Sequence, residues 1–470
     1  MTTATATAPA APTRDERAAR GRAARTALPR GALAEPGARP PGTDPVALLV
    51  EQGRTRVPEL LPLRYGRMSA SPFGFYRGSA LIMARDLAAG PASGLTVQLC
   101  GDAHLANFGL YASPERHLLF DVNDFDETAT GPFEWDVQRL VASVELAARH
   151  TGVRRGVRRD LVTGTARTYR QAVGDLAGRR TIEVWYAHPD VDRLVAEYAG
   201  PAGRRAERRA RGAVDKALRR DHLSALARLT RVDDGERRFV SDPPLLTTVH
   251  DLLDADEAAT FTAGMRDLLR SYRRTLPSDR RHLLDRYRLV DVARKVVGVG
   301  SVGTRAFVLL MQGDDPDDAL VLQAKEAQAS VLDTARGIVR RGQHGRRVVE
   351  GQRLMQSASD MLLGWQRTAG IDGVARDFYV RQLRDWKGSV TVDTMRPEGL
   401  AAYARVCAWT LARAHARSGD RVAIASYLGT GDRADLAFAE FATAYADRAE
   451  RDHALLVDAV AAGRVPAEAG

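Results

Sequence analysis

Lysine is nearly absent from this chain: of 69 basic residues only Lys216, Lys295, Lys325 and Lys387 are lysines. Arginine serves wherever a positive charge suffices, so a surviving lysine marks a place where a compact ammonium is wanted instead of a guanidinium fork. Cysteine is scarce as well. Cys100 and Cys407 are the only two and neither has metal-like neighbours, which excludes a disulfide framework and fits a reducing cytoplasm. No apolar run reaches the ~18 residues of a spanning helix, so no membrane partner is expected. The opening 45 residues, rich in Ala, Pro, Arg and Thr, lack the apolar centre of a secretory signal and are expected to form a disordered tail.

What is present is size and a filled interior. A chain of 470 residues with 44% hydrophobic content is too long for one core and suggests two or three packed units. The net charge of +10 raises the question of nucleic acid. Much of the excess lies in Arg154-Arg155, Arg204-Arg205, Arg208-Arg209 and Arg219-Arg220, interleaved with acids and Ala/Leu at helical spacing. Such stretches read as solvated helix faces, and nucleic acid is not an expected partner.

The most informative stretch is Cys100-Gly-Asp-Ala-His-Leu-Ala-Asn-Phe-Gly109, followed by Asp121-Val-Asn-Asp-Phe-Asp126. Strand-like flanks, Val97 to Cys100 and His117 to Phe120, place Asp102 and Asn107 in one loop and the acidic cluster in the next. Kinase-type phosphoryl transfer needs that set: a carboxylate beside the acceptor hydroxyl, and an Asn and a second Asp to hold magnesium. Asp102 would orient or deprotonate the acceptor, while Asn107 and Asp124 would ligate Mg²⁺. Asp126 either joins a second ion or pairs with an arginine, and Asp121 reads as structural. His104 reads as a neutral loop-ordering residue. Arg77 reaches a phosphate or packs on the loop's acids.

A second group lies far downstream. Residues 287–325 read as strand, turn, strand, turn, strand. The first turn, Val297-Gly-Val-Gly-Ser-Val-Gly-Thr304, carries Gly298, Gly300 and Gly303 in a G-x-G-x-x-G. A strand follows instead of a helix, so the glycines suit a flap whose backbone N–H groups cover phosphates, not a dinucleotide fold. Lys325 sits on the third strand, where kinases place the lysine that contacts the α- and β-phosphates. Glu350, or alternatively Glu326, is the carboxylate expected to hold it.

Gly101-Asp-Ala-His-Leu-Ala-Asn107 resembles the catalytic loop of aminoglycoside and choline phosphotransferases of the protein-kinase-like superfamily. Asp124-Phe-Asp126 resembles their magnesium segment, and Gly131 to Leu140 the segment in which a buried Asp, here Asp136, braces the loop. From about residue 50 the chain also resembles an uncharacterised bacterial family, domain of unknown function 2252, through Ser71 to Gly78 and Leu411 to Asp420. The first resemblance implies an α/β (α+β) two-lobed kinase-like fold, ATP and Mg²⁺ as cofactors, and a small-molecule acceptor. Two features depart from it: Cys100 stands where those enzymes often place His, and the catalytic loop precedes the flap and lysine. The inverted order implies circular permutation, with the helix ending at His415 running into the loop. The expected division is a tail over 1–45, a helical lobe over 46–286, a β-rich nucleotide lobe over 287–395, and C-terminal helices over 396–470. Nucleotidyl transfer at the same site and a non-catalytic nucleotide-binding scaffold are the competing readings.

Overall fold

The computed structural model describes residues 11–188, 190–199, 203–219, 222–233, 235–296, 298–369, 372–383, 388–389 and 392–468. It is a mixed α/β protein. The strands are β1 (Thr96–Leu99), β2 (Phe108–Ala112), β3 (Leu118–Val122), β4 (Ala129–Pro132), β5 (Thr230–Asp233), β6 (Glu236–Phe239), β7 (Leu246–Thr248), β8 (Arg288–Lys295), β9 (Ala306–Gln312), β10 (Ala319–Ala327), β11 (Gly364–Ala369), β12 (Ala375–Gln382) and β13 (Gly388–Ser389). The main sheet runs β11-β12-β10-β9-β8-β7, antiparallel throughout.

The middle of this sheet reads as nearly unbroken apolar sequence because both faces are covered. On one face the helix Ala255–Tyr272 sets Phe261 and Met265 against Phe307, Leu309 and Phe378. On the other, Leu226 and Phe239 pack with Val308, Leu310 and Val321. Every residue of β10, Lys325 included, is buried. The expected boundary at 287 is therefore corrected. The sheet recruits β7, and the helix 255–272 belongs to its hydrophobic core, so the segment before 287 is not wholly part of a helical lobe.

The helical part is centred on Phe133–His150, buried along nearly its whole length. It packs in one core with Arg155–Gly178, Pro397–Ser418 and Arg433–Ala461. The tail expectation is corrected over its described part, since residues 1–10 lie outside it. Thr13 and Glu16 cap a helix, Arg14–Ala27, by exchanging side-chain and backbone hydrogen bonds. That helix lies on Arg421–Leu428 so closely that a Cβ on Gly21 would stand 2.0 Å from the Ala423 carbonyl oxygen. Leu28 and Leu33 complete the docking as buried residues. Among the described residues no helix is long and apolar enough to cross a membrane.

Candidate functional site

Two short antiparallel ladders bring the two acidic loops together. Leu99 pairs with Ala129 in β1–β4, and Phe108 pairs with Val122 in β2–β3. The loops 100–107 and 123–128 are thus tied at both ends and must run side by side. Asn123 N–H donates to the Asn107 carbonyl (2.8 Å), closing the gap between them. Gly101 has φ +86°, and a Cβ there would stand 2.2 Å from the Glu127 carbonyl oxygen, so glycine is required by both conformation and space.

The loop is braced from below. Asp136 accepts from the N–H groups of Cys100 (2.8 Å) and Gly101 (3.0 Å). His415, at the end of the helix 397–418, sets Nε2 3.3 Å from the Asp136 carboxylate and Nδ1 2.7 Å from the Tyr169 hydroxyl. Asp420, farther along, has a structural role. It caps the helix 421–428 through the N–H groups of Val422 and Ala423 and pairs with Arg17 at 2.8 Å.

Asp102 is held by Arg139, whose Nη2 lies 2.7 Å from Oδ1. Burial lifts the Asp102 carboxyl above its ordinary pKa, and Arg139 offsets only part of that rise. Burial, reinforced by Arg77 and Arg139, drives the His104 imidazole well below its usual value, so this ring is neutral. Asn107 donates its Nδ2 to the Asp102 carbonyl at 2.7 Å, leaving Oδ1 as its acceptor. Asp121 is structural: Arg413 Nη2 lies 2.9 and 2.7 Å from its two oxygens, and Ser357 donates to it as well.

From the sheet, Lys325 reaches both acids of the second loop. Its Nζ lies 3.6 Å from Asp124 and in closer contact with Asp126. Burial alone would lower the pKa of this ammonium, but Asp124 and Asp126 outweigh it and hold the charge in place. Tyr379, directly opposite Lys325 on β12, donates its hydroxyl to Asp126 at 2.8 Å, and Ser301 reaches the other oxygen at 3.3 Å. Asp126 is therefore the lysine's anchor, and the arginine partner considered from sequence is replaced by Lys325. Both of its oxygens are engaged in this structure, by Tyr379 on one and by Ser301 and Lys325 on the other.

The expected Lys325–Glu350 pair is absent. Glu350 lies on the outer face of the helix His344–Met355, half exposed and paired with Arg346 at 2.7 Å. Glu326 alternates to the other side of β10 and pairs with Arg305 at 3.3 Å. The inner face of the 344–355 helix presents Arg347, which donates to the carbonyls of Thr128 (2.5 Å), Asp126 (2.7 Å) and Gln328 (2.8 Å).

The glycine turn folds back on the helical side. Arg67 donates to the Gly298 carbonyl (2.8 Å), Arg56 to Val302 (2.5 Å), and Val57 N–H to Gly303 (2.8 Å). Gly298 (φ +67°) and Gly303 (φ +86°) adopt backbone that side chains disfavour. A cavity of about 110 Å³ results, bordered by Asp102, Asn107, Asp124, Asp126, Arg77, Gly298, Gly300 and Ser301. Neither Gly303 nor Lys325 borders it. Glu127 does, with burial pushing its carboxyl up to about 7.

Arg139, Tyr379, Arg347 and Glu127 escaped the sequence reading. Arg139 was the most accessible of them, since it stands three positions after Asp136 on one helix face. Among the described residues no group of three or more His, Cys, Asp or Glu is placed to hold a metal alone. No curated protein and no solved structure matches the chain. A family model does, over residues 56–459, and the chain belongs to that family, described as an uncharacterized protein conserved in bacteria (DUF2252).

Proposed function

We propose that this chain is an ATP- and Mg²⁺-dependent phosphotransferase with a circularly permuted, kinase-like fold. The observation that carries the reading is the contact of the buried Lys325 with Asp124 and Asp126, the two acids that border one cavity with Asp102 and Asn107. The permutation draws support from two placements. Glycine turn, lysine strand and helix follow one another as in kinases, and His415, in the last turn of the helix 397–418, abuts the Asp136 brace of the loop.

The residues fit the ion. Asn107 Oδ1 and the half-buried Asp124 carboxylate would hold it, which suits a cation that prefers few protein oxygens together with phosphates and water. When bound, magnesium would neutralise negative charge on the nucleotide's phosphates. Lys325 would exchange part of its carboxylate contact for the nucleotide's inner phosphates. Asp102, fixed by Arg139, would take the proton of an acceptor hydroxyl or amine as the new bond to the γ-phosphorus forms. The bond to the leaving ADP breaks in the same displacement. Raised basicity from burial favours that proton transfer.

Asp102→Asn preserves shape and removes the base. ATP turnover should fall by about 100-fold or more, with ADP as the wild-type product and MgATP-dependent stabilisation retained in the variant. Undiminished turnover in Asp102→Asn would refute the assignment.

A further inference from the structure

We infer that the chain carries a second binding site, for an amphipathic anion with an apolar body and one terminal carboxylate or phosphate. The site is a cavity of about 660 Å³, within the ~300–1,000 Å³ typical of small-molecule pockets and much larger than the acidic one. Its walls are apolar: Leu110 of β2, Phe120 of β3, Leu194, Met395, Tyr403 and Val406. Its charged members are Arg205, Arg209, Arg396 and the single acid Glu398.

The charge balance selects the ligand. In this chain arginines commonly find carboxylates, as Arg39, Arg149 and Arg170 do. None of the three arginines at this cavity has an ion-pair partner among the described residues. Apolar walls beside uncommitted guanidiniums complement a molecule that is greasy along its length and anionic at one end, since guanidinium pairs with carboxylate and phosphate alike. A neutral lipid would leave the arginines unused, and a polar anion would leave the walls wet.

The position gives the site a route to the loop. Tyr403, one of the walls, has its hydroxyl 2.9 Å from the Leu105 carbonyl oxygen and 3.0 Å from that of Phe108. Those residues flank Asn107. The inference itself stands on the cavity alone and does not depend on the phosphotransferase reading.

The test is calorimetric titration of the full chain with sodium dodecanoate and with dodecyl phosphate, below micellar concentration. Dodecanol and dodecyltrimethylammonium serve as neutral and cationic controls. One-to-one binding is expected for at least one anion, tenfold or more tighter than for either control, and whichever anion binds identifies the headgroup. The exposed double variant Arg205→Glu/Arg209→Glu should weaken it at least tenfold, and Ala210→Trp, which fills the cavity from its rim, should abolish it. Equal binding of dodecanol, no binding of either anion, or undiminished binding to the double variant would overturn the inference. Should Ala210→Trp fail to fold, the double variant decides.

Discussion

Lys325 is the residue on which the site turns, and the physical cost of placing it explains its partners. An ammonium removed from water is stable only if opposite charge and hydrogen-bond acceptors surround it, and Asp124 and Asp126, the latter fixed by the Tyr379 hydroxyl, provide that environment. Its importance was legible in the chain's avoidance of lysine. Its partner was not, because Glu350 and Arg347 lie on the same helix and only the helix's rotation decides which faces inward. His104 offers a test at this scale. Its folded pKa is depressed by burial, so the neutral ring contributes stability that is present above the unfolded value near 6.5 and lost as pH falls below it. Chemical unfolding at pH 7.5 and 5.5 should show the wild type losing about 1 kcal/mol more than His104→Gln over that interval. Equal losses would mean the ring is not buried in its neutral form.

Among the elements, strands buried on both faces were readable and short polar ones were not. The β8–β10 meander is apolar enough to declare itself, and the loops of the acidic site stand out by their turn residues and flanking strands. The β5–β6 hairpin carries Arg231, Arg237 and Arg238, so its register could not be told from a polar helix. The N-terminal helix was hidden for a different reason. Its buried face consists of Gly21 and Ala24, which leave no hydrophobic periodicity to detect and dock by close backbone approach. Gly21→Val should therefore cost about 1–3 kcal/mol through overpacking against Ala423, measured as a lower urea midpoint. An unchanged midpoint would show that this helix contributes nothing to stability.

At the scale of the whole molecule, segments from opposite halves of the chain meet at one small acidic cavity. At about 110 Å³ it is too small for a nucleotide, so the proposed nucleotide binding would require the 298–304 turn to draw away from the 102–127 loops. Amide exchange in 298–304 should change when MgATP is added, whereas a preformed, rigid site would leave it unchanged. The resemblance of both segments to kinase motifs had implied that they meet, but the degree of closure depends on contacts from Arg56 and Arg67 that no motif announces. The most direct measurement is the Mg²⁺-dependent shift of unfolding stability with ATP, on the wild type and on Lys325→Met. At about 100 times Kd the nucleotide should add about 2.7 kcal/mol to the wild type and little to a folded Lys325→Met. A wild type indifferent to MgATP, or a variant stabilised as much as the wild type, would contradict the account.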